Sequence, residues 1–199
     1  MSRQAAFVLS LFASVALVTA LAAQQPVTDG AKYASSGELL RPTDYRDWAF
    51  VTSGLGMTYG PAGQDGHVMF DNVFVNRESY RQFMASGKWP EKTMFVLELR
   101  GAEEHVSINN GGQTQGGLMA IEASVKDSAR FPDTTWAYFD MGAGSRPSAA
   151  PLPASAACYA CHKSKTAVEW TFVQFYPTLF EVARRMGTVK PTYDPAQKP

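Results

Sequence analysis

The clearest strand in the sequence is "TMFVLELR", residues 93–100. Phe95, Leu97 and Leu99 fall on one face and the residues between them on the other, since side chains alternate along a strand. A strand with an apolar face of this kind is not stable alone and needs neighbouring strands and a core. The segment therefore predicts a sheet, whose other strands should lie elsewhere in the chain.

Four more segments have the composition of strands, because they are rich in β-branched and aromatic residues and are separated by turn or glycine-rich segments. They run from about Arg46 to Thr52, from Val68 to Asn76, from Leu118 to Asp127, and from Thr134 to Met141. Two of the connections between them, residues 54–67 and 107–117, are rich in glycine and are predicted as loops.

Helical spacing of apolar residues is confined to two stretches. One begins near Arg77 and ends at Gly87, and the other runs from about Pro177 to Met186, with proline in its first turn. Two short helices are too few for a bundle. The predicted fold class is α+β, a mainly antiparallel β-sheet with a few short helices.

The N-terminus has the pattern of a Sec signal peptide. Arg3 precedes an apolar run, and small residues follow it around Ala22 and Ala23, where we expect cleavage. A single membrane anchor is the alternative, although the run is shorter than the roughly 20 residues that a span needs. We predict a periplasmic or otherwise exported protein, with no membrane attachment after cleavage. The predicted divisions are a signal peptide (1–23), a flexible arm (24–39), the main domain (40–187) and a C-terminal tail (188–199).

Charge and size limit the class of protein. The 18 basic and 18 acidic residues balance, so no strongly basic surface is predicted and nucleic acid is not an expected partner. After cleavage, about 175 of the 199 residues remain, which is enough for one domain with a core. The aromatic content of 12% fits either a dense core or a pocket around a flat ligand.

Both cysteines and one of the three histidines lie in "CYACH", residues 158–162. Two cysteines in an exported chain often form a disulfide, and C-x-x-C also occurs in thioredoxin-like redox sites and as half of a zinc site. However, no βαβ pattern surrounds the motif, and a zinc site would need the other two histidines to converge on it. C-x-x-C-H is also the attachment sequence of c-type haem. We predict one covalent haem c, with thioethers at Cys158 and Cys161 and with His162 as proximal iron ligand.

The late position of the motif bears on the second axial position of the iron. Small electron-transfer cytochromes have the motif early and a methionine ligand far downstream. Here the only methionine after the motif is Met186, which lies in a predicted helix and is expected to pack in the core. We therefore predict a five-coordinate iron with an open position for a small molecule. Upstream ligands remain as alternatives, and they are Met57, Met69, Met84, Met94, Met119, Met141, His67 and His105.

Ordered segments along the chain resemble the cytochrome P460 family. They are "LLRPTDYRDWAFV", "FDNVFVNRESYRQF", "ASGKWPEKTMFVLELR", "AIEASVKDSARFP" with "WAYFD", and "CYACH" with "FVQFYP". The resemblance runs from about Leu40 to Ala183, nearly the whole mature chain. It implies a β-rich α+β domain with a c-type haem packed against the sheet, and a homodimer.

The resemblance implies two kinds of chemistry. Members that oxidise hydroxylamine carry a lysine crosslinked to the haem ring, whereas the related cytochromes c′-beta lack it and bind nitric oxide or carbon monoxide in an apolar distal pocket. The position of that lysine corresponds to Leu97 here, and Lys88 and Lys92 are expected on the surface. Phenylalanines cap the distal pocket in those relatives, and the candidates for a distal wall here are Phe70, Phe74, Phe95 and Leu97.

We therefore predict a protein that binds or processes small nitrogen oxides, with nitric oxide binding favoured. One alternative is an enzyme that oxidises hydroxylamine and passes electrons to a soluble redox partner, and the other is a six-coordinate electron-transfer cytochrome. No acid–base constellation is predicted. Lys126 is expected at the surface, and Glu98 is expected either in solvent or paired with Arg100.

Overall fold

The computed structural model describes residues 26–57 and 68–195, so the predicted signal peptide lies outside the described residues. Within the described ranges the chain forms seven strands and three α-helices. The strands are β1 (Leu39–Leu40), β2 (Ala49–Leu55), β3 (Met69–Val75), β4 (Met94–Glu104), β5 (Gln113–Lys126), β6 (Trp136–Asp140) and β7 (Ser148–Ala149). The helices are α1 (Arg77–Ser86), α2 (Ala157–Ser164) and α3 (Pro177–Met186).

One antiparallel sheet of five strands forms the centre of the fold, in the order β2-β3-β4-β5-β6. Each strand pairs with the next strand in the sequence, so the sheet is a meander. β1 and β7 form a separate antiparallel pair. The predicted class, α+β with mainly antiparallel strands and a few short helices, is confirmed.

Two interior strands of the sheet, β4 and β5, are longer than the sequence indicated. β4 continues past Arg100 to Glu104, and β5 begins at Gln113, inside a segment predicted as a loop. Glycine has a low β-propensity, so the glycine-rich composition does not predict a strand there. Pairing with β4 stabilises the strand in the structure. The first predicted strand also begins later, at Ala49, because Tyr45–Asp47 forms a 3₁₀ turn.

Two helices have the ends that the sequence predicted. α1 is followed by Gly87 in the left-handed conformation, with a φ of 70°, and α3 begins with Pro177 in its first turn. The third helix, α2, was not predicted, because it follows a segment rich in proline and alanine. None of the helices in the described ranges is long and apolar enough to cross a membrane.

The register of β3 and β4 determines which side chains share a face of the sheet. Leu97 pairs with Val73, whereas Phe74 pairs with Val96, and directly paired residues lie on the same face. We call the face of Leu97 and Val73 the front face, and the face of Phe74 and Val96 the back face.

Each face packs against different parts of the chain. On the front face, Phe95 and Tyr138 belong to a buried cluster with Phe83 of α1 and Leu179 of α3. On the back face, a second cluster contains strand residues and the N-terminal segment, with Leu39 fully buried. Helices and the N-terminal segment therefore lie on opposite sides of the sheet.

The predicted arm, residues 24–39, contacts the domain in the part that the structure describes. The Asp29 carboxylate accepts hydrogen bonds from the side chain of Asn76, at 2.9 Å, and from the backbone N–H of Glu78, at 3.2 Å. The second of these donors is in the first turn of α1, where free N–H groups need acceptors. This segment therefore contributes a helix cap to the domain, and it is not only a linker.

Candidate functional site

The "CYACH" motif lies on α2. Residues three and four positions apart share one face of a helix, so Cys158, Cys161 and His162 point to the same side. All three line one cavity of ≈ 470 Å³. We call these three residues the donor set. Both cysteines are free thiols, so the disulfide alternative finds no support.

The front face of the sheet and the segment after α2 line the same cavity. The sheet contributes Val73, Phe95 and Leu97, which we call the apolar wall, together with Tyr138. Aromatic side chains of the segment after α2, such as Phe172, complete the lining. A concave, mainly apolar site of this size suits a flat organic ligand.

His162 is held in one orientation by its own backbone neighbourhood. Its Nδ1 lies 2.7 Å from the carbonyl oxygen of Trp170. A carbonyl oxygen only accepts, so Nδ1 carries the proton and Nε2 keeps a lone pair. Burial lowers the pKa of His162 to about 4, although the hydrogen bond to Trp170 acts in the opposite direction. The imidazole is therefore neutral at physiological pH, the state in which it ligates a metal.

Two aromatic rings pack against the imidazole. The ring centroids of Tyr138 and Phe172 lie 4.4 and 4.6 Å from that of His162. The hydroxyl of Tyr138 is buried and has no hydrogen-bond partner among the described residues. A buried hydroxyl without a partner is costly, so a polar group of a ligand in this cavity would stabilise it.

This arrangement fits a covalently attached haem. Two thiols and a neutral imidazole share one helix face at an apolar cavity, which is the donor chemistry that c-type haem requires. The zinc alternative has no comparable support, because no group of three or more His, Cys, Asp or Glu side chains could hold a metal ion within the described residues. Of the other two histidines, His105 is in an exposed loop and His67 lies outside the described residues.

Two of the four predicted distal-wall residues lie elsewhere. Phe95 and Leu97 line the cavity of the donor set, and their place in a distal wall stays a prediction. Phe74 packs on the back face, where its ring lies 5.5 Å from that of Tyr45, and Phe70 shares its strand face. Side chains alternate along β3, so neither can share a wall with Leu97. The prediction for these two residues is wrong.

Three carboxylates in the cavity were missed by the sequence interpretation. They are Asp71 of β3, Glu122 of β5 and Asp140 of β6. Burial raises the pKa of Asp71 to about 6. The pKa of Glu122 is raised by burial, then by the negative charges of the other two carboxylates. Alternation along β3 could have placed Asp71 on the same face as Val73. The sequence does not give the strand register that brings the three carboxylates to one cavity.

Of the upstream alternatives for an axial ligand, the cavity contains one within the described residues. Met57 lines the cavity and lies against Gly54, where an added Cβ would collide with the methionine sulfur. Met94 and Met141 are buried in the back-face cluster. The remaining described methionines do not line the cavity, and they are Met69, Met84, Met119 and Met186.

Three lysines were predicted to lie on the surface and away from the haem. No lysine is among the described residues that line the cavity, and Lys88 and Lys92 are exposed as predicted. Lys126 corrects the expectation of surface charge, since its side chain is only 14% exposed and pairs with Glu169 at 2.8 Å. Glu98 is buried and pairs with Arg100 at 2.6 Å, the second of the two outcomes expected for it.

Comparison with known proteins agrees with this geometry. No curated protein matches the chain. The sequence profile described as cytochrome P460 matches residues 42–173, which span the sheet and the donor set. Members of this family bind a covalent c-type haem, and the family is related to nitrogen-oxide or hydroxylamine processing. The chain therefore belongs to the cytochrome P460 family, and its cofactor is a covalent haem c.

Proposed function

We propose that the protein binds a small nitrogen oxide, with nitric oxide as the favoured ligand, at a haem iron ligated by His162. Cys158 and Cys161 hold the haem through thioethers in this proposal. The observation that carries it is the apolar wall, which lines the same cavity as the donor set. When bound, the haem supplies an iron with an axial position for a diatomic ligand.

The residues of the cavity favour a neutral ligand. Val73, Phe95 and Leu97 offer no polar side-chain group to water or to a ligand, and a neutral diatomic molecule loses little solvation when it enters such a site. An anion such as nitrite would lose far more, and the nearby carboxylates would repel it. His162 is already neutral, so its Nε2 can ligate the iron without releasing a proton.

We propose that the iron is five-coordinate before ligand binds. Within the described lining, His162 is the only histidine and Met57 the only methionine, and the sulfur of Met57 lies against Gly54. Absorption spectra of the ferrous protein, with and without nitric oxide or carbon monoxide, test this. A low-spin six-coordinate spectrum that neither gas changes would contradict the proposal and favour the electron-transfer cytochrome.

The absence of a lysine crosslink is part of the proposal. Leu97 occupies the strand position that corresponds to the crosslinked lysine of the relatives. No lysine lines the cavity within the described residues. Intact mass and peptide mapping of the purified protein test this directly. A haem-bearing peptide joined to a lysine would overturn it, as would the strongly red-shifted Soret band of a crosslinked haem.

A second candidate function, hydroxylamine oxidation, is favoured by the three carboxylates. Oxidation of hydroxylamine to nitric oxide releases three protons and three electrons, so it needs proton acceptors at the site and a soluble electron acceptor. Asp71 and Glu122 line the cavity and have raised pKa values, which makes them stronger proton acceptors than ordinary carboxylates. Turnover of hydroxylamine with an artificial electron acceptor, above the rate of free haem, would support this candidate.

We further propose that the protein is exported and forms a homodimer. The signal-like N-terminus supports export, and the resemblance to the cytochrome P460 family supports the dimer. Cell fractionation and the mass of the purified holoprotein in solution test the two points separately. A cytoplasmic holoprotein would contradict export, and a monomer at all working concentrations would contradict the dimer.

A further inference from the structure

We propose that the ion pair of Lys126 and Glu169 positions the carbonyl group that holds His162, and thereby sets the donor strength of the imidazole. Neither residue of the pair lines the cavity. The inference rests on the proposed function in one respect, the ligation of iron by His162. Both are positioning residues, since each acts through the backbone of Trp170.

The carbonyl group in question belongs to a short loop, residues 166–171, which we call the histidine loop. The loop is tied to the end of α2 by the hydroxyl of Thr166, which lies 2.6 Å from the carbonyl oxygen of His162 and 2.9 Å from that of Glu169. The next residue, Trp170, provides the oxygen that accepts from Nδ1 of His162. A displacement of this loop therefore acts directly on the imidazole.

Glu169 has a backbone conformation that needs support from elsewhere. Its φ of 48° is in the left-handed region, which costs a non-glycine residue roughly 1 kcal/mol or more. Its carboxylate accepts from the backbone N–H of Trp89 at 3.2 Å and from Nζ of Lys126 at 2.8 Å. The same Nζ donates to the carbonyl oxygen of Trp89 at 2.7 Å, so the three residues form a closed set of contacts.

The groups that hold Glu169 are themselves fixed in the core. Lys126 ends β5, and the Trp89 side chain is 1% exposed. Nε1 of Trp89 donates to the hydroxyl of Thr171 at 2.9 Å, so it also holds the loop on the other side of Trp170. Trp170 therefore lies between two residues that are both anchored to Trp89. The contacts of these two neighbouring residues hold the carbonyl oxygen of Trp170 in place.

The hydrogen bond from Nδ1 to this oxygen controls how strongly Nε2 donates to a metal. A carbonyl acceptor at Nδ1 fixes the tautomer and raises the basicity of the ligating nitrogen. Loosening the loop would lengthen the bond and weaken the donor. Weakening the imidazole as a donor destabilises the ferric iron more than the ferrous iron. The reduction potential should therefore rise.

The test uses the holoprotein with Lys126→Met, Glu169→Gln and the double variant. The control is Lys92→Met, which removes an ion pair with Asp127 near the end of β5 and leaves the histidine loop untouched. The measurements are the reduction potential, the iron–histidine stretching frequency in resonance Raman spectra of the ferrous protein, and the melting temperature. Glu169→Gln keeps the shape of the side chain, so it remains informative if Lys126→Met fails to mature.

We expect Lys126→Met and Glu169→Gln each to raise the reduction potential and lower the stretching frequency, and the double variant to add little to either single change. Lys92→Met should lower only the melting temperature. Unchanged spectra and potentials in Lys126→Met and Glu169→Gln would overturn the inference, and so would equal shifts in the Lys92→Met control. A wild-type protein without an iron–histidine band would instead contradict the proposed five-coordinate iron ligated by His162, which separates the two failures.

Discussion

Leu97 pairs directly with Glu122 across β4 and β5, and both side chains line the cavity of the donor set. An apolar side chain and an acid of raised pKa therefore lie side by side on the front face. The apolar residue favours binding of a neutral gas, whereas the acid favours chemistry that releases protons. This pair is thus the position at which the two candidate functions can be separated by experiment.

The first prediction concerns Glu122→Gln, which removes the acid and keeps the volume. If the protein binds nitric oxide, the affinity should change by less than about tenfold, because a neutral ligand gains little from a carboxylate. If the protein oxidises hydroxylamine, turnover should fall by about 100-fold or more, the usual loss when a general base is removed.

The matched control for this substitution is Glu181→Gln, on the exposed side of α3. Dissociation constants for nitric oxide and steady-state rates with hydroxylamine should be measured for both variants. Unchanged hydroxylamine turnover in Glu122→Gln would exclude this carboxylate as the proton acceptor.

The second prediction concerns the axial ligand. His162→Ala should keep both thioethers, because neither thioether bond involves the imidazole, but the iron should lose its proximal nitrogen. Haem staining after denaturing electrophoresis should remain, while the ferrous absorption spectrum should change. His105→Ala is the control, since that residue is in an exposed loop, and it should leave the spectrum as in the wild type. An unchanged spectrum in His162→Ala would refute the assignment.

The third prediction concerns the dependence of stability on pH. Burial raises the pKa of Asp71 to about 6, against 3.8 as its ordinary value, so the folded state binds the proton more tightly than the unfolded state. The stability from this group is full below pH 3.8 and is lost as the pH rises through 6. The loss amounts to about 3 kcal/mol at neutral pH.

Asp71→Asn should remove this component, because the amide has no charge to bury. Urea unfolding between pH 4 and 7 should therefore show a smaller decline for the variant than for the wild type. The facing acid Glu122 also has a raised pKa in this cavity, so the variant should keep a residual slope. Parallel curves for the two proteins would show that Asp71 is not responsible.

Local sequence signals were sufficient for some parts of the fold and not for others. The end of α1 at Gly87 and the start of α3 at Pro177 were predictable, because each depends on the backbone of one residue. The partners of Leu97 were not, because β4 and β5 shift register near Arg100 and such irregularities leave no clear pattern in one sequence. The donor set was readable as a motif, while the carboxylates that share its cavity come from three separate strands.

The last prediction concerns the back face, where Glu98 is 3% exposed. Its carboxylate accepts from Nε of Arg46 at 3.0 Å and from Nε of Arg100 at 2.6 Å, and the hydroxyl of Tyr45 also donates to it. Burial alone would raise the pKa of Glu98, but these hydrogen bonds outweigh it and lower the pKa to about 2. The acid therefore stabilises the folded state at every pH above its ordinary value of 4.5, and this contribution is lost as the pH falls toward 2.

Glu98→Gln should lower the free energy of unfolding by about 3 kcal/mol at neutral pH, because it leaves two arginines without their buried counter-charge. The loss should shrink as the pH falls from 4.5 to 2, where the wild-type acid becomes neutral. Glu78→Gln is the control, since its pair with Arg81 on the surface of α1 should be worth less than about 1 kcal/mol. Urea unfolding curves at several pH values measure both, and a difference between wild type and Glu98→Gln that stays constant with pH would show that the charge of Glu98 does not stabilise the sheet.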